Sequence, residues 1–187
     1  MSVPSIDLKR FEPGFMEKWI QSVENLTANA SFIGGEQVSS LEEKLAVLCE
    51  SDNVITCANG TDALQLALRA VGVQAGDFVV LPNLTFWATF EAVVNVGAIP
   101  ITVDIDLSDG AIDQSALKNA IEKYEVKAII LVHLYGWGSA NLDEIRSLSS
   151  SAGIPLIEDG AQSFGTEFMG NAIYKSFLQN QSRNRAQ

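Results

Sequence analysis

The segment Cys57-Ala58-Asn59-Gly60-Thr61-Asp62-Ala63-Leu64 passes from an apolar run through a glycine into a helical period. Small residues at such a turn let an anion approach free backbone N–H groups at the positive end of a helix dipole, which suits the segment to cradling a phosphate. The same residues equally suit a plain helix cap made by Thr61 or Asp62. A second segment, Leu81-Pro82-Asn83-Leu84-Thr85-Phe86-Trp87-Ala88-Thr89, brings two aromatics to a helix mouth. There an aromatic face either stacks on a planar ring or packs into the core. The third is Ile157-Glu158-Asp159-Gly160-Ala161-Gln162-Ser163, with two carboxylates directly after an apolar run. Successive strand residues face opposite sides, so only one of the two enters a given site. A buried carboxylate facing a ring nitrogen holds that nitrogen protonated, and Gln162, about a turn further on, reaches toward a ring oxygen. An anion cradle, a flat face and a carboxylate are together what a phosphorylated pyridine cofactor requires.

Positioning these groups is the task of an alternating pattern. Five apolar runs, at residues 54–58, 78–81, 99–103, 128–133 and 154–157, are continuous rather than alternating, as strands buried on both faces are. Between them, residues 62–71, 87–96, 114–124 and 142–152 have helical period. The expectation is a three-layer αβα fold with a mainly parallel sheet, in which ligands bind beyond the carboxyl ends of the strands. Upstream, residues 14–30 and 38–50 read as two amphipathic helices separated by Gly34-Gly35. Downstream, residues 179–187 hold no apolar residue but one alanine and read as a polar tail. The expected organisation is an N-terminal arm and helix over residues 1–34, a partial large domain over 35–170 and a tail over 171–187.

Composition narrows the classes of function. Of 187 residues, 47% are hydrophobic and 19% charged, an ordinary globular balance. The net charge of -11 opposes binding to nucleic acid and to anionic membrane surfaces. Cys49 and Cys57 lack CxxC spacing, and no leader-like segment follows Met1, so the expected setting is a reduced cytoplasm without a membrane span. One histidine, His133, cannot build a multi-histidine metal site, and it reads as a satisfied residue at the sheet edge. A nicotinamide-dinucleotide domain is disfavoured because Asn59-Gly60-Thr61 lacks the GxGxxG spacing.

Six motifs, in order, resemble the DegT/DnrJ/EryC1/StrS sugar aminotransferases, which use pyridoxal phosphate on a type I aminotransferase fold. They are Phe32-Ile33-Gly34-Gly35, Ala58-Asn59-Gly60-Thr61-Asp62-Ala63-Leu64, Pro82-Asn83-Leu84-Thr85-Phe86, Val103-Asp104-Ile105-Asp106, Val132-His133-Leu134-Tyr135-Gly136 and Glu158-Asp159-Gly160-Ala161-Gln162-Ser163. The resemblance implies that Gly60, Thr61 and Asp62 meet the cofactor phosphate, that Phe86 stacks on the pyridine, that Asp159 pairs with its nitrogen and that Gln162 approaches its hydroxyl. It further implies a dimeric, cytoplasmic enzyme that moves an amino group from glutamate to a nucleotide-linked keto sugar in polysaccharide or lipopolysaccharide synthesis. A 3-keto UDP-sugar is favoured over a 4-keto substrate.

Family sequences continue with a Ser-Phe-aromatic-Pro-x-Lys segment carrying the Schiff-base lysine, then the rest of the large domain and a small domain. Lys175, in Ile173-Tyr174-Lys175-Ser176-Phe177, does not fit that pattern. The expectation is therefore a fold incomplete at its C-terminus, with no catalytic lysine assigned, inactive alone, and either oligomeric or aggregation-prone. The alternative is a non-catalytic product that binds the cofactor weakly or pairs with a full-length homologue.

Overall fold

The structure, a computed structural model, describes residues 8–49, 51–168 and 171–173. Lys175 and the polar tail lie outside the described residues. The chain divides between Lys44 and Leu45 into two compact units. The first contains helix α1 (Phe15–Ala28) and the start of α2 (Glu36–Cys49). Along α1, Met16, Trp19, Ile20 and Val23 fall at helical spacing and form an apolar stripe, yet all four are exposed and α1 buries no residue.

In the second unit the helices are α3 (Gly60–Ala70), α4 (Trp87–Asn95), α5 (Gln114–Lys123) and α6 (Leu142–Ala152). They alternate with strands β1 (Phe78–Pro82), β2 (Ile99–Val103), β3 (Val126–Val132) and β4 (Leu156–Asp159). These strands form one parallel sheet in the order β2-β1-β3-β4. A short antiparallel pair, β5 (Glu167–Phe168) with β6 (Asn171–Ala172), follows.

Alternation along the strands sorts the core into two layers. Val79 and Leu81 of β1 and Ala128, Ile130 and Val132 of β3 pack against Leu64 and Leu68 of α3 and Ala92 and Val93 of α4. Val80, Ile129 and Leu131 face the other way, onto Leu117 of α5 and Leu142 and Ile145 of α6, with Ile173 joining them. The three-layer αβα fold expected from the sequence is present.

Residues 54–58, expected to be a strand, form none. The run has no neighbouring strand among the described residues to complete a ladder, and its Ile55 is exposed. The last strand begins two residues later than expected because Ile154 closes α6. Gly153 adopts φ 68°, its N–H donates to Ser149 and Ser150 carbonyls, and the Ile154 N–H donates back to the Ser149 carbonyl.

No helix among the described residues is long and apolar enough to cross a membrane. Replacing the fully buried Ile130 with alanine is expected to destabilise the fold by about 2–5 kcal/mol, read as a lower urea midpoint with an unchanged slope.

Candidate active site

All parallel strands end on one edge, and the loops leaving β1, β3 and β4 enclose a cavity of about 310 Å³ there. Gly60, Thr61, Phe86, Asp159 and Gln162 all line it. Five of the six residues singled out from the sequence thus share one cavity, although 102 residues separate Gly60 from Gln162.

The sixth, Asp62, does not line it. Asn59 caps α3: its Oδ1 accepts the Asp62 N–H at 2.9 Å, and its Nδ2 donates to the Asp62 carboxylate at 3.0 Å. The cap is therefore Asn59, with Asp62 as its reciprocal partner, rather than Thr61 or Asp62 alone. This leaves the N–H groups of Gly60 and Thr61 without an acceptor among the described residues. A Cβ placed on Gly60 would meet nothing within 4 Å, so the space beside these donors is open. Among the described residues no lysine or arginine lines the cavity.

Phe86 precedes α4 and is 69% exposed, and Trp87 is 65% exposed. Neither is the core residue that packing alone would make it. Gln162 has its Oε1 fixed by the Tyr135 N–H at 2.7 Å, which turns its amide NH₂ away to serve another acceptor. The turn that carries this contact needs glycine next in line: Gly136 has φ 80°, and a Cβ there would come within 2.9 Å of the Gln162 backbone oxygen.

The two adjacent carboxylates of β4 part as the pleat requires. The Asp159 carboxylate accepts from the Thr89 hydroxyl at 3.1 Å and the Ala161 N–H at 3.2 Å. Glu158 turns to the α6 layer, where Arg146 grips both its oxygens at 2.8 Å and His133 Nε2 approaches at 3.0 Å. Arg146 also donates to the Ile173 carbonyl at 3.0 Å. Burial pushes the Glu158 carboxyl up, but the hydrogen bonds from His133 and Arg146 and their charge outweigh it and hold it below the ordinary value of 4.5.

Because an ionised carboxylate only accepts, His133 Nε2 carries a proton, and His133 Nδ1 is buried with no hydrogen-bond partner among the described residues. His133 is thus only half-satisfied. Arg146 was not singled out from the sequence; the only signal is a lone charge on an apolar helix face. The described residues contain no His/Cys/Asp/Glu group able to hold a metal ion.

A helix N-terminus offering two free N–H groups, an open aromatic ring and an anchored carboxylate, gathered at the carboxyl edge of a parallel αβα sheet, fit the cofactor of the pyridoxal-phosphate-dependent aminotransferases. Solved enzymes of that class share this fold. Residues 15–176 match the DegT/DnrJ/EryC1/StrS aminotransferase family, and the chain belongs to it.

Its relatives include a UDP-2-acetamido-2-deoxy-3-oxo-D-glucuronate aminotransferase of Pseudomonas aeruginosa, 42% identical over 88% of this chain and 45% of the relative. A UDP-N-acetyl-3-dehydro-alpha-D-glucosamine 3-aminotransferase of Acidithiobacillus ferrooxidans is 38% identical over 92% of this chain and 46% of the relative. Among solved structures, a family aminotransferase from Brucella abortus superposes with TM-score 0.80 at 35% identity, covering 88% of this chain and 45% of that one. A Bacillus subtilis protein with bound cofactor PMP gives 0.81 at 31% identity, covering 90% and 38%. The chain spans about 45% of the length of the curated relatives named here.

The Glu158 cluster sets an acid response. A carboxyl held below 4.5 contributes stability that is fully present above that pH and is lost as pH falls through its lowered value. Arg146→Met is expected to cost roughly 3–5 kcal/mol at neutral pH, because it strands a buried carboxylate. It should also flatten the loss of stability expected of the unaltered chain as pH falls below 4.5. Urea unfolding across that range measures both.

Proposed function

We propose that this chain holds pyridoxal phosphate in the cavity at the sheet's carboxyl edge, as the cofactor-holding part of a transaminase acting on nucleotide-linked keto sugars. The observation that carries the reading is the convergence of Gly60, Thr61, Phe86, Asp159 and Gln162 on one cavity. When bound, the cofactor supplies a ring that accepts the electron pair left when the substrate α-carbon loses its proton.

The chain's own residues prepare that property. The free N–H groups of Gly60 and Thr61 receive the phosphate at the positive end of α3. The exposed Phe86 ring covers one face of the pyridine and excludes water from it. Asp159 keeps a proton on the ring nitrogen, because a carboxylate beside it favours the cationic form. The Gln162 amide NH₂ donates to the ring oxygen and so fixes the ring's rotation in its plane. Among the described residues no lysine borders the cavity, and none of these contacts depends on one.

A 3-keto UDP-sugar is the favoured substrate class, since relatives at 42% and 38% identity carry names that specify 3-oxo and 3-dehydro UDP-sugars. A place in polysaccharide or lipopolysaccharide synthesis, glutamate as the amino donor, a dimeric assembly and a cytoplasmic setting complete the reading.

Absorbance titration of the purified chain with pyridoxal phosphate tests it. Saturable binding that reverses on dialysis is expected, weakened at least about tenfold by Asp159→Asn and several-fold by Phe86→Ala. Absence of saturable binding, or binding indifferent to both substitutions, refutes the reading. So does borohydride trapping at Lys118, Lys123 or Lys127, which lie outside the cavity.

A further inference from the structure

Thr89 is fully buried in the first turn of α4, three residues after Phe86. A buried hydroxyl must find partners, and helical threonines commonly donate to the carbonyl one turn back. Thr89 instead reaches across to Asp159, 70 residues away, at 3.1 Å, and its oxygen also lies 2.8 Å from the Thr85 hydroxyl.

The direction of this chain follows from proton counting. An ionised carboxylate only accepts, so the single Thr89 proton goes to Asp159 Oδ2, and the Thr85 proton must go to Thr89. Asp159 Oδ1 meanwhile accepts the Ala161 N–H at 3.2 Å. Each carboxylate oxygen is therefore tethered from a different element, which fixes the rotation of the group while leaving lone pairs free toward the cavity that Asp159 lines. One tether is backbone; the other is the Thr89 hydroxyl.

We propose that Thr89 is a positioning residue for the cofactor: its hydroxyl, oriented by Thr85, locks the Asp159 carboxylate in the rotation that presents it to the pyridine nitrogen. The assignment rests on the reading of the cavity given above. It makes the turn carrying Phe86 serve two contacts, the ring's face directly and the ring's nitrogen through Asp159.

Thr89→Val keeps the shape and deletes the donor. Pyridoxal phosphate affinity, read by absorbance titration, is expected to fall about tenfold, the loss of one hydrogen bond to a charged group. Thr89→Ser should restore it to within about twofold, since the donor returns without the methyl group. In an Asp159→Asn background Thr89→Val should cost almost nothing further, because the two act through one group. The pH midpoint of the bound cofactor's absorbance should move in Thr89→Val and not in Thr89→Ser, a change that packing alone does not produce.

An unchanged affinity in Thr89→Val, or an equal loss with Asp159 and with Asn at that position, overturns the proposal while leaving the cavity reading intact. If the unaltered chain binds no cofactor, the cavity reading fails and this assignment falls with it. Should Thr89→Val fail to fold by circular dichroism, Thr85→Val at the half-buried outer hydroxyl decides. A loss of about two- to threefold supports the relay and no loss refutes it.

Discussion

Everything at the carboxyl edge depends on the pleat of one short strand. Glu158 and Asp159 are consecutive, and the period of two sends their carboxylates into different layers. Glu158 goes to the α6 side, where Arg146 and His133 bind it. Asp159 goes to the α4 side, where Thr89 and the cavity meet it. A slip of one residue in the pairing of β4 with β3 would exchange the two. The bidentate Arg146–Glu158 pair stabilises the present register. The buried ion pair and the cavity-lining carboxylate are thus divided between neighbours in sequence by backbone geometry.

The sequence made the layers legible wherever a strand is buried on both faces. Val79 to Leu81 and Ile129 to Leu131 are continuous apolar runs, and their helices follow with clear period. It misread residues 54–58 because an apolar run records the capacity to be a strand, while a strand exists only where a neighbour completes its ladder. It misplaced the start of β4 because Ile154 looks like strand and instead closes a helix. Both errors concern partners, which periodicity does not encode.

The site divides in the same way. Gly60, Thr61, Phe86, Asp159 and Gln162 were visible because each sits next to a strand end or a turn whose chemistry is local. Asn59 is equally legible as a cap, an asparagine three residues before an acid. Thr89 and Arg146 act over long sequence separations, on Asp159 and Glu158, and nothing in their own neighbourhoods announces it. His133 belongs with these: its residue type is legible, while its buried Nδ1, without a partner among the described residues, is a fact of packing.

The start of α3 offers neutral donors, and among the described residues no lysine or arginine lines the cavity, on a chain of net charge -11. A phosphorylated ligand of the kind proposed would be repelled at a distance and attracted only within the last few ångströms, where dipole and N–H groups act. Encounter is therefore uphill before it is downhill. Added salt shortens the range of the repulsion more than it weakens the contact, because the donors act at hydrogen-bond distance. Association should quicken as ionic strength rises, the reverse of the behaviour of phosphate sites built on basic side chains. Discrimination among anions then falls to shape rather than charge.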